Sequence, residues 1–207
     1  MSNIKHKIIE KTCGLFKKYG IKSVSMDEIA KACGISKKTL YEHISDKSEL
    51  VKAVINSEFQ KDEPQNVDYN TAKTAIDQLF LGYLAMIEFF KNFNLSFEHD
   101  LQKYYPDLYI KATKKRRAKI YDRLVENIKK GIEEGVYRKD FNIDLIAKIH
   151  VIKIEGILTT DIFDNDDYTI TDIFKEMFIH HFMGVATTKG IEDFYKKMKE
   201  IETNKEH

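Results

Sequence analysis

Apolar residues recur every three or four positions through most of this chain, so helix is the dominant expectation. Ile4, Ile8, Ile9, Thr12, Leu15 and Phe16 form a stripe that predicts a first helix over 3–19, which Gly20 ends. The stretch from Ser25 to Lys47, SMDEIAKACGISKKTLYEHISDK, then predicts two short helices around a tight turn. Ser25 and Glu28 have the spacing of a capping box, and Ile29, Ala30 and Cys33 share one face. Gly34 follows where a chain must take positive φ to leave a helix. Ser36 caps a second helix that opens on Lys37, Lys38 and Thr39 and continues through Leu40, Tyr41 and His43. Asp46 caps a third over 47–61, with Leu50, Val51, Val54, Ile55 and Phe59 as its apolar face.

The polar run DEPQNVDYN at 62–70 contains Pro64 and reads as a connection, dividing the chain into 1–61 and 62–207. Beyond it the periodicity predicts helices over 71–93, 96–104, 106–134, 143–160, 170–186 and 189–202. Pro106 is acceptable in a first turn, and Gly135 closes the long fourth-from-last helix ahead of a VYRKDFN loop. DNDD at 164–167 is a polar break. In the 143–160 helix, Leu145, Ile146, Ile149, Ile152 and Ile157 are expected to be buried. No strand signal competes. The expected fold class is all-α: an N-terminal three-helix helix-turn-helix domain plus a larger helical bundle.

Composition refines this picture through the distribution of charge. Net charge is only +1 over 207 residues, but residues 1–52 hold 11 Lys/Arg against 6 Asp/Glu, net +5. The remainder holds 23 against 27, net −4. A basic head on an acidic body suits a head that meets phosphate, with ordinary surface scatter as the plainer alternative. Cys13 and Cys33 make no disulfide or metal framework at that count and spacing and read as small core residues of a reducing cytoplasm. The N-terminus lacks the apolar core of a signal peptide, and no run approaches the ~20 apolar residues of a membrane span. A cytoplasmic location without membrane contact is expected. No nucleophile–base set, phosphate loop, HExxH or spaced metal ligands occur, so neither enzyme activity, a cofactor nor a metal is expected. The adjacent His180 and His181 point to different helix faces and make poor ligands.

The chemistry of the 25–47 stretch fits DNA. Lys37 and Lys38 bring charge to the end of a helix that enters a major groove, while Thr39 and Tyr41 offer hydroxyls to backbone oxygens. GIKSVSMDEIAKACGISKKTLYEHISDKSEL also resembles the DNA-binding domain of the tetracycline-repressor (TetR) family of bacterial transcription regulators. The resemblance rests on Gly20, Ser25, Ile29-Ala30, Gly34-Ile35-Ser36, Thr39-Leu40-Tyr41 and the helix start from Lys47 to Leu50. His43 stands where the family usually has a second aromatic, Ile44 where it has Phe, and Val24 where a hydroxyl residue is frequent. The candidate DNA-contact residues are Ser25, Ser36, Lys37, Lys38, Thr39, Tyr41, His43 and Lys47.

For the body, the resemblance is one of architecture and length, and it implies two things. In this family the last two major helices pair with those of a partner as a four-helix bundle, which makes a homodimer. Here that face would draw on Ile149, Ile152, Ile157, Phe174, Phe178, His181 and Phe182. A two-fold dimer reads the two half-sites of a palindromic operator in double-stranded DNA. Family members also commonly bind a small effector between the middle helices, which weakens operator binding. Aromatics including Phe80, Tyr83, Phe90, Phe93, Tyr104 and Tyr121 can wall a pocket for an apolar or aromatic molecule, or serve as plain core. His99, His150 and Glu155 are polar groups on apolar helices, either ligand contacts or satisfied, partly buried residues. The KKRR run at 114–117 reads as a solvated helix face, with a second nucleic-acid or acidic-ligand contact as the alternative. These features together describe a ligand-responsive, dimeric DNA-binding regulator, most often a repressor in the family. A helical small-molecule carrier with a non-functional head is the alternative.

Overall fold

A computed structural model describes residues 2–60, 71–91, 94–159, 162 and 167–203. Ten α-helices run through them: α1 Ser2–Tyr19, α2 Met26–Cys33, α3 Lys37–His43, α4 Lys47–Gln60, α5 Ala75–Lys91, α6 Leu95–Tyr104, α7 Pro106–Glu133, α8 Ile143–Thr159, α9 Ile170–Val185 and α10 Thr188–Thr203. Extended pairing among the described residues is limited to one isolated bridge between Tyr137 and Ala186. The fold is all-α, as the periodicity predicts. The connection at 62–70, Phe93, residues 164–166 of the DNDD break and the side chain of Phe59 lie outside the described residues.

Helix starts that differ from the sequence expectation do so because of caps. The helix expected from 71 begins at Ala75, because Thr74 and Asp77 cap it reciprocally. The Asp77 N–H donates to Thr74 Oγ1 at 3.1 Å and the Thr74 N–H to Asp77 Oδ2 at 3.2 Å. Asn94 starts α6 by accepting the Phe97 N–H at 2.9 Å. Such a cap contributes about 1 kcal/mol, enough to decide where a helix begins but not whether it forms.

The described residues group into two compact units, Met1–Asp62 with Asn92–Arg116, and Glu63–Lys91 with Arg117–His207. The first has a core of Ile8, Phe16, Ile21, Ile29, Leu40, Ile44, Leu50 and Val51, contributed by α1 to α4 and the turns between them. Leu101 of α6 joins that core, and Phe97, Tyr105, Leu108, Tyr109 and Ala112 pack against it. Segment 92–116 therefore groups with the head, although the polar run at 62–70 puts a sequence boundary ahead of it. A helix-turn-helix is too short to bury its own apolar faces, and α1, α4 and α6 supply the missing cover.

In the second unit, α5, α9 and α10 interlock through aromatic rings. Phe182 and Phe194 stack at 4.2 Å, Phe80 lies 5.0 Å from Phe194, and Tyr83 lies 4.5 Å from Phe178. Phe174 continues the series, 5.0 Å from Phe90 and 5.7 Å from Tyr83. Each such ring pair contributes about 0.5–1.5 kcal/mol beyond the area it buries.

Candidate nucleic-acid interface

The head is shaped by local hydrogen bonds that its polar residues dictate. Ser25 caps α2: Glu28 N–H donates to Ser25 Oγ at 3.2 Å and Ser25 N–H to Glu28 Oε2 at 2.7 Å. Those bonds from Ser25 hold the Glu28 carboxyl below its ordinary pKa. Gly34 then takes φ 69°, which lets its N–H reach the Lys31 carbonyl while the Ile35 N–H reaches that of Ala30, each at 3.1 Å. This paired closure needs a left-handed residue, and glycine adopts that conformation without strain. Ser36 starts α3 by accepting the Thr39 N–H at 3.0 Å. Leu40 is fully buried and turns the helix so that Lys38 and Tyr41 face outward. Truncating a core leucine of this kind costs about 2–5 kcal/mol.

Asp46 caps α4 through the Glu49 N–H at 2.7 Å. Glu49 in turn accepts the Ser45 N–H and hydroxyl at 2.7 and 2.8 Å and pairs with Lys5 at 3.1 Å. These contacts, the Ser45 bonds first, push its carboxyl down to about 2.

The residues named from sequence are therefore gathered on one head, but they are not equivalent. Ser25 and Ser36 hold helix starts with their hydroxyl oxygens. Lys37 is exposed, and its ammonium lies 2.7 Å from Asp27 Oδ1. Lys38 and Tyr41 are exposed, with Tyr41 at 44%. Thr39 and His43 are half-buried, and Thr39 Oγ1 is 2.9 Å from Ser36 Oγ. Lys47 is half-buried and donates to the Lys22 carbonyl at 3.4 Å.

Residues 8–54, which contain α2, α3 and their turn, match the family described as "Bacterial regulatory proteins, tetR family". Over these residues the head is similar to the DNA-binding part of that family. The chain is 36% identical over 73 residues to the HTH-type transcriptional regulator SAB2452 of Staphylococcus aureus (strain bovine RF122 / ET3-1). That alignment spans 31% of this chain and 40% of the Staphylococcus protein. Solved structures of the family share the fold over nearly the whole chain. A TetR-family regulator from Cytophaga hutchinsonii is 20% identical, with a TM-score of 0.65 over 89% of this chain and 95% of that one. The SmeT–triclosan complex is 13% identical, with a TM-score of 0.61 over 90% of this chain and 93% of that one.

The body residues named from sequence do not form one set. Phe80 and Phe90 are buried in the aromatic core, and Tyr83 is half-buried in its stack with Phe174. Tyr121 donates its hydroxyl to Asp144 at 2.7 Å. Glu155 is held by Arg117 at 2.6 and 2.7 Å. His150 is buried, its ring 4.1 Å from that of His181, and its Nδ1 has no partner among the described residues. His99 and Tyr104 belong to the other unit, where His99 lines an open cleft with Lys22, Ser23, Leu95, Ser96 and Asp100.

The face assigned to pairing also needs correction. Phe174, Phe178, His181 and Phe182 are buried within the chain's own core, so they are not free to meet a partner. Ile157 is half-buried. Ile149 and Ile152 are exposed at 37% and 68%, and Leu145, expected to be buried, is exposed at 54%. Helix α8 is apolar around most of its circumference, so composition alone could not identify its inward face. The structure turns Ala147, His150, Val151 and Ile154 inward. The KKRR run is not simply solvated either, since Arg116 pairs with Glu98 at 3.1 Å and Arg117 with Glu155. Spacing gave no signal for Asp27, Lys22 or Asp100, whose partners are fixed only when separate elements meet.

Proposed function

We propose that this protein is a dimeric, cytoplasmic DNA-binding transcription regulator, acting as a repressor released from a palindromic operator by a small apolar or aromatic effector, and that it has no enzymatic activity. The observation that carries this reading is the head: a capped helix-turn-helix inside the TetR-family match, presenting Lys38 and Tyr41 outward from α3. In this reading Lys38 reads base edges and Tyr41 and Lys47 meet phosphate. No helix among the described residues is long and apolar enough to cross a membrane, which agrees with a protein that works on DNA.

Pairing would use the exposed apolar residues of α8, Leu145, Ile149 and Ile152, with residues 62–207, less the 92–116 segment that groups with the head, as the effector-binding and dimerisation part. The ring-rich core of the second unit and the triclosan bound by SmeT support an apolar effector. Helix α7 is continuous from Pro106 to Glu133, with its residues divided between the two units, so it supplies a covalent route for a switch. Selection of binding sites from random-sequence DNA, followed by gel shift, tests the reading. An enriched palindrome supports it, and no enrichment from a folded protein overturns it.

A further inference from the structure

Helix α6 packs on the DNA-reading head through Phe97 and Leu101, and it also holds the end of α1 and the turn that follows with two polar side chains. Asp100 is buried, and its Oδ2 accepts the Lys22 backbone N–H at 2.7 Å. Asn94, the cap of α6, donates from Nδ2 to the Lys18 carbonyl at 3.2 Å. Between the two anchors lies Gly20, at φ 80°. A Cβ built there would sit 3.1 Å from Asp100 Oδ2 and 3.2 Å from Ser96 Cβ. The turn is thus seated directly on α6 through a residue with no side chain. The other side of residue 22 faces α4, where the Lys22 carbonyl accepts from the Lys47 ammonium at 3.4 Å. Burial pulls the Lys47 pKa down, and the carboxylates of Asp100 and Glu28 oppose that pull. One residue of the turn is therefore fixed from behind by α6 and in turn orients the cation at the start of α4.

Resting on the DNA-binding reading above, we propose that Asp100 is a positioning residue of the DNA-reading head: it clamps the α1–α2 turn through Lys22 and so sets where Lys47 stands when the head meets DNA phosphate. Asp100 touches no DNA in this arrangement. Its effect runs through Lys22 to Lys47, and it makes α6 part of the reading head.

The sign of one substitution separates this from simple electrostatics. Deleting an acidic group from a DNA-binding head raises its positive charge, so charge alone predicts tighter binding for Asp100→Ala. Loss of the clamp predicts weaker binding. The experiment measures affinity for the selected operator against salt concentration, for the full-length chain and for Lys47→Ala, Asp100→Ala, the double variant and Asp100→Asn. Lys47→Ala is expected to lower the log–log salt slope by about 0.9, the signature of one lost phosphate contact. Asp100→Ala is expected to weaken binding with the same slope change, and the double variant to bind no more weakly than Lys47→Ala, because both remove one contact. Asp100→Asn keeps an acceptor for the Lys22 N–H and is expected to restore most of the affinity.

The proposal is overturned if Asp100→Ala binds as tightly as the parent or more tightly, if Lys47→Ala leaves the slope unchanged, or if the two losses multiply. Thermal melting confirms that each variant is folded. Should Asp100→Ala melt below the assay temperature, Asn94→Ala replaces it in the same cycle, with the same outcomes deciding. A parent protein that selects no DNA at all defeats the functional reading instead, so the two failures are told apart.

Discussion

Lys37, the first residue of α3, holds its ammonium 2.7 Å from Oδ1 of Asp27 in the first turn of α2. Two cations that look equivalent in sequence are thereby made different, since Lys38 is exposed beside it with no such pair among the described residues. An exposed ion pair costs little to break, so Lys37 can be drawn to phosphate, but Lys38 is the one presented ready for a base edge. Lys38→Ala is expected to alter base preference at one position of each half-site. Tyr41→Phe is expected to weaken operator and random DNA alike. Asp27→Asn should release Lys37 and tighten binding to all sequences with a steeper salt dependence. Competition gel shifts on operator and scrambled DNA measure all three, and equal losses on both DNAs for Lys38→Ala would remove the base-reading role.

Assembly gives the next prediction. Ile152 is 68% exposed on α8, whereas Phe178 is 4% exposed within the aromatic core. Ile152→Asp should therefore yield a folded monomer that melts close to the parent and binds operator weakly, having lost the ~34–36 Å pairing of two heads. Phe178→Asp should instead lose the folded body, because it puts a charge where no partner can offset it. Sedimentation velocity with thermal melting distinguishes these outcomes. A stable Ile152→Asp dimer would move the interface elsewhere.

The buried pair of imidazoles, His150 on α8 and His181 on α9, predicts acid sensitivity. Burial is the main cause in both cases: it pushes His181 from 6.5 down to about 4, with Lys153 adding to the effect. His150 is pushed well below 6.5, with His181 and then Lys153 adding. Both are neutral when folded, while the unfolded chain takes up protons as pH falls through about 6.5. Their contribution is thus fully present above pH 6.5 and is lost as pH falls toward 4. The expected slope is at most about 1.4 kcal/mol per pH unit for each histidine. Urea unfolding at pH 7.5, 6.5 and 5 measures it. The His150→Gln/His181→Gln variant should show little change between pH 6.5 and 5, and a slope equal to the parent's would refute the assignment.

Effector action is bounded by linkage. A compound that releases the operator must bind the DNA-free form better, and a coupling of ~1–3 kcal/mol corresponds to roughly 5–150-fold in affinity. Operator DNA must then weaken binding of that compound by the same factor. Titrating a body-binding apolar compound by calorimetry with and without operator is the check. Identical affinities would make the protein a constitutive DNA binder.

The helices and the architecture of the head are legible in the order of residues alone. Helix periodicity, the Ser25–Glu28 box, the Gly34 turn and the Ser36 cap are local, because each depends on residues within one helical turn of one another. Such interactions are written into spacing, and they matched the structure to within a few residues. Which face of a nearly all-apolar helix points inward is settled by packing in three dimensions, which buries the phenylalanines of α9 and leaves Ile149 and Ile152 of α8 exposed. The same packing brings Asp100 to Lys22, 78 residues apart in the chain. It likewise joins Arg117 to Glu155 and stacks His150 on His181. Contacts between distant segments depend on how whole helices pack, and no local pattern of residue types encodes that packing.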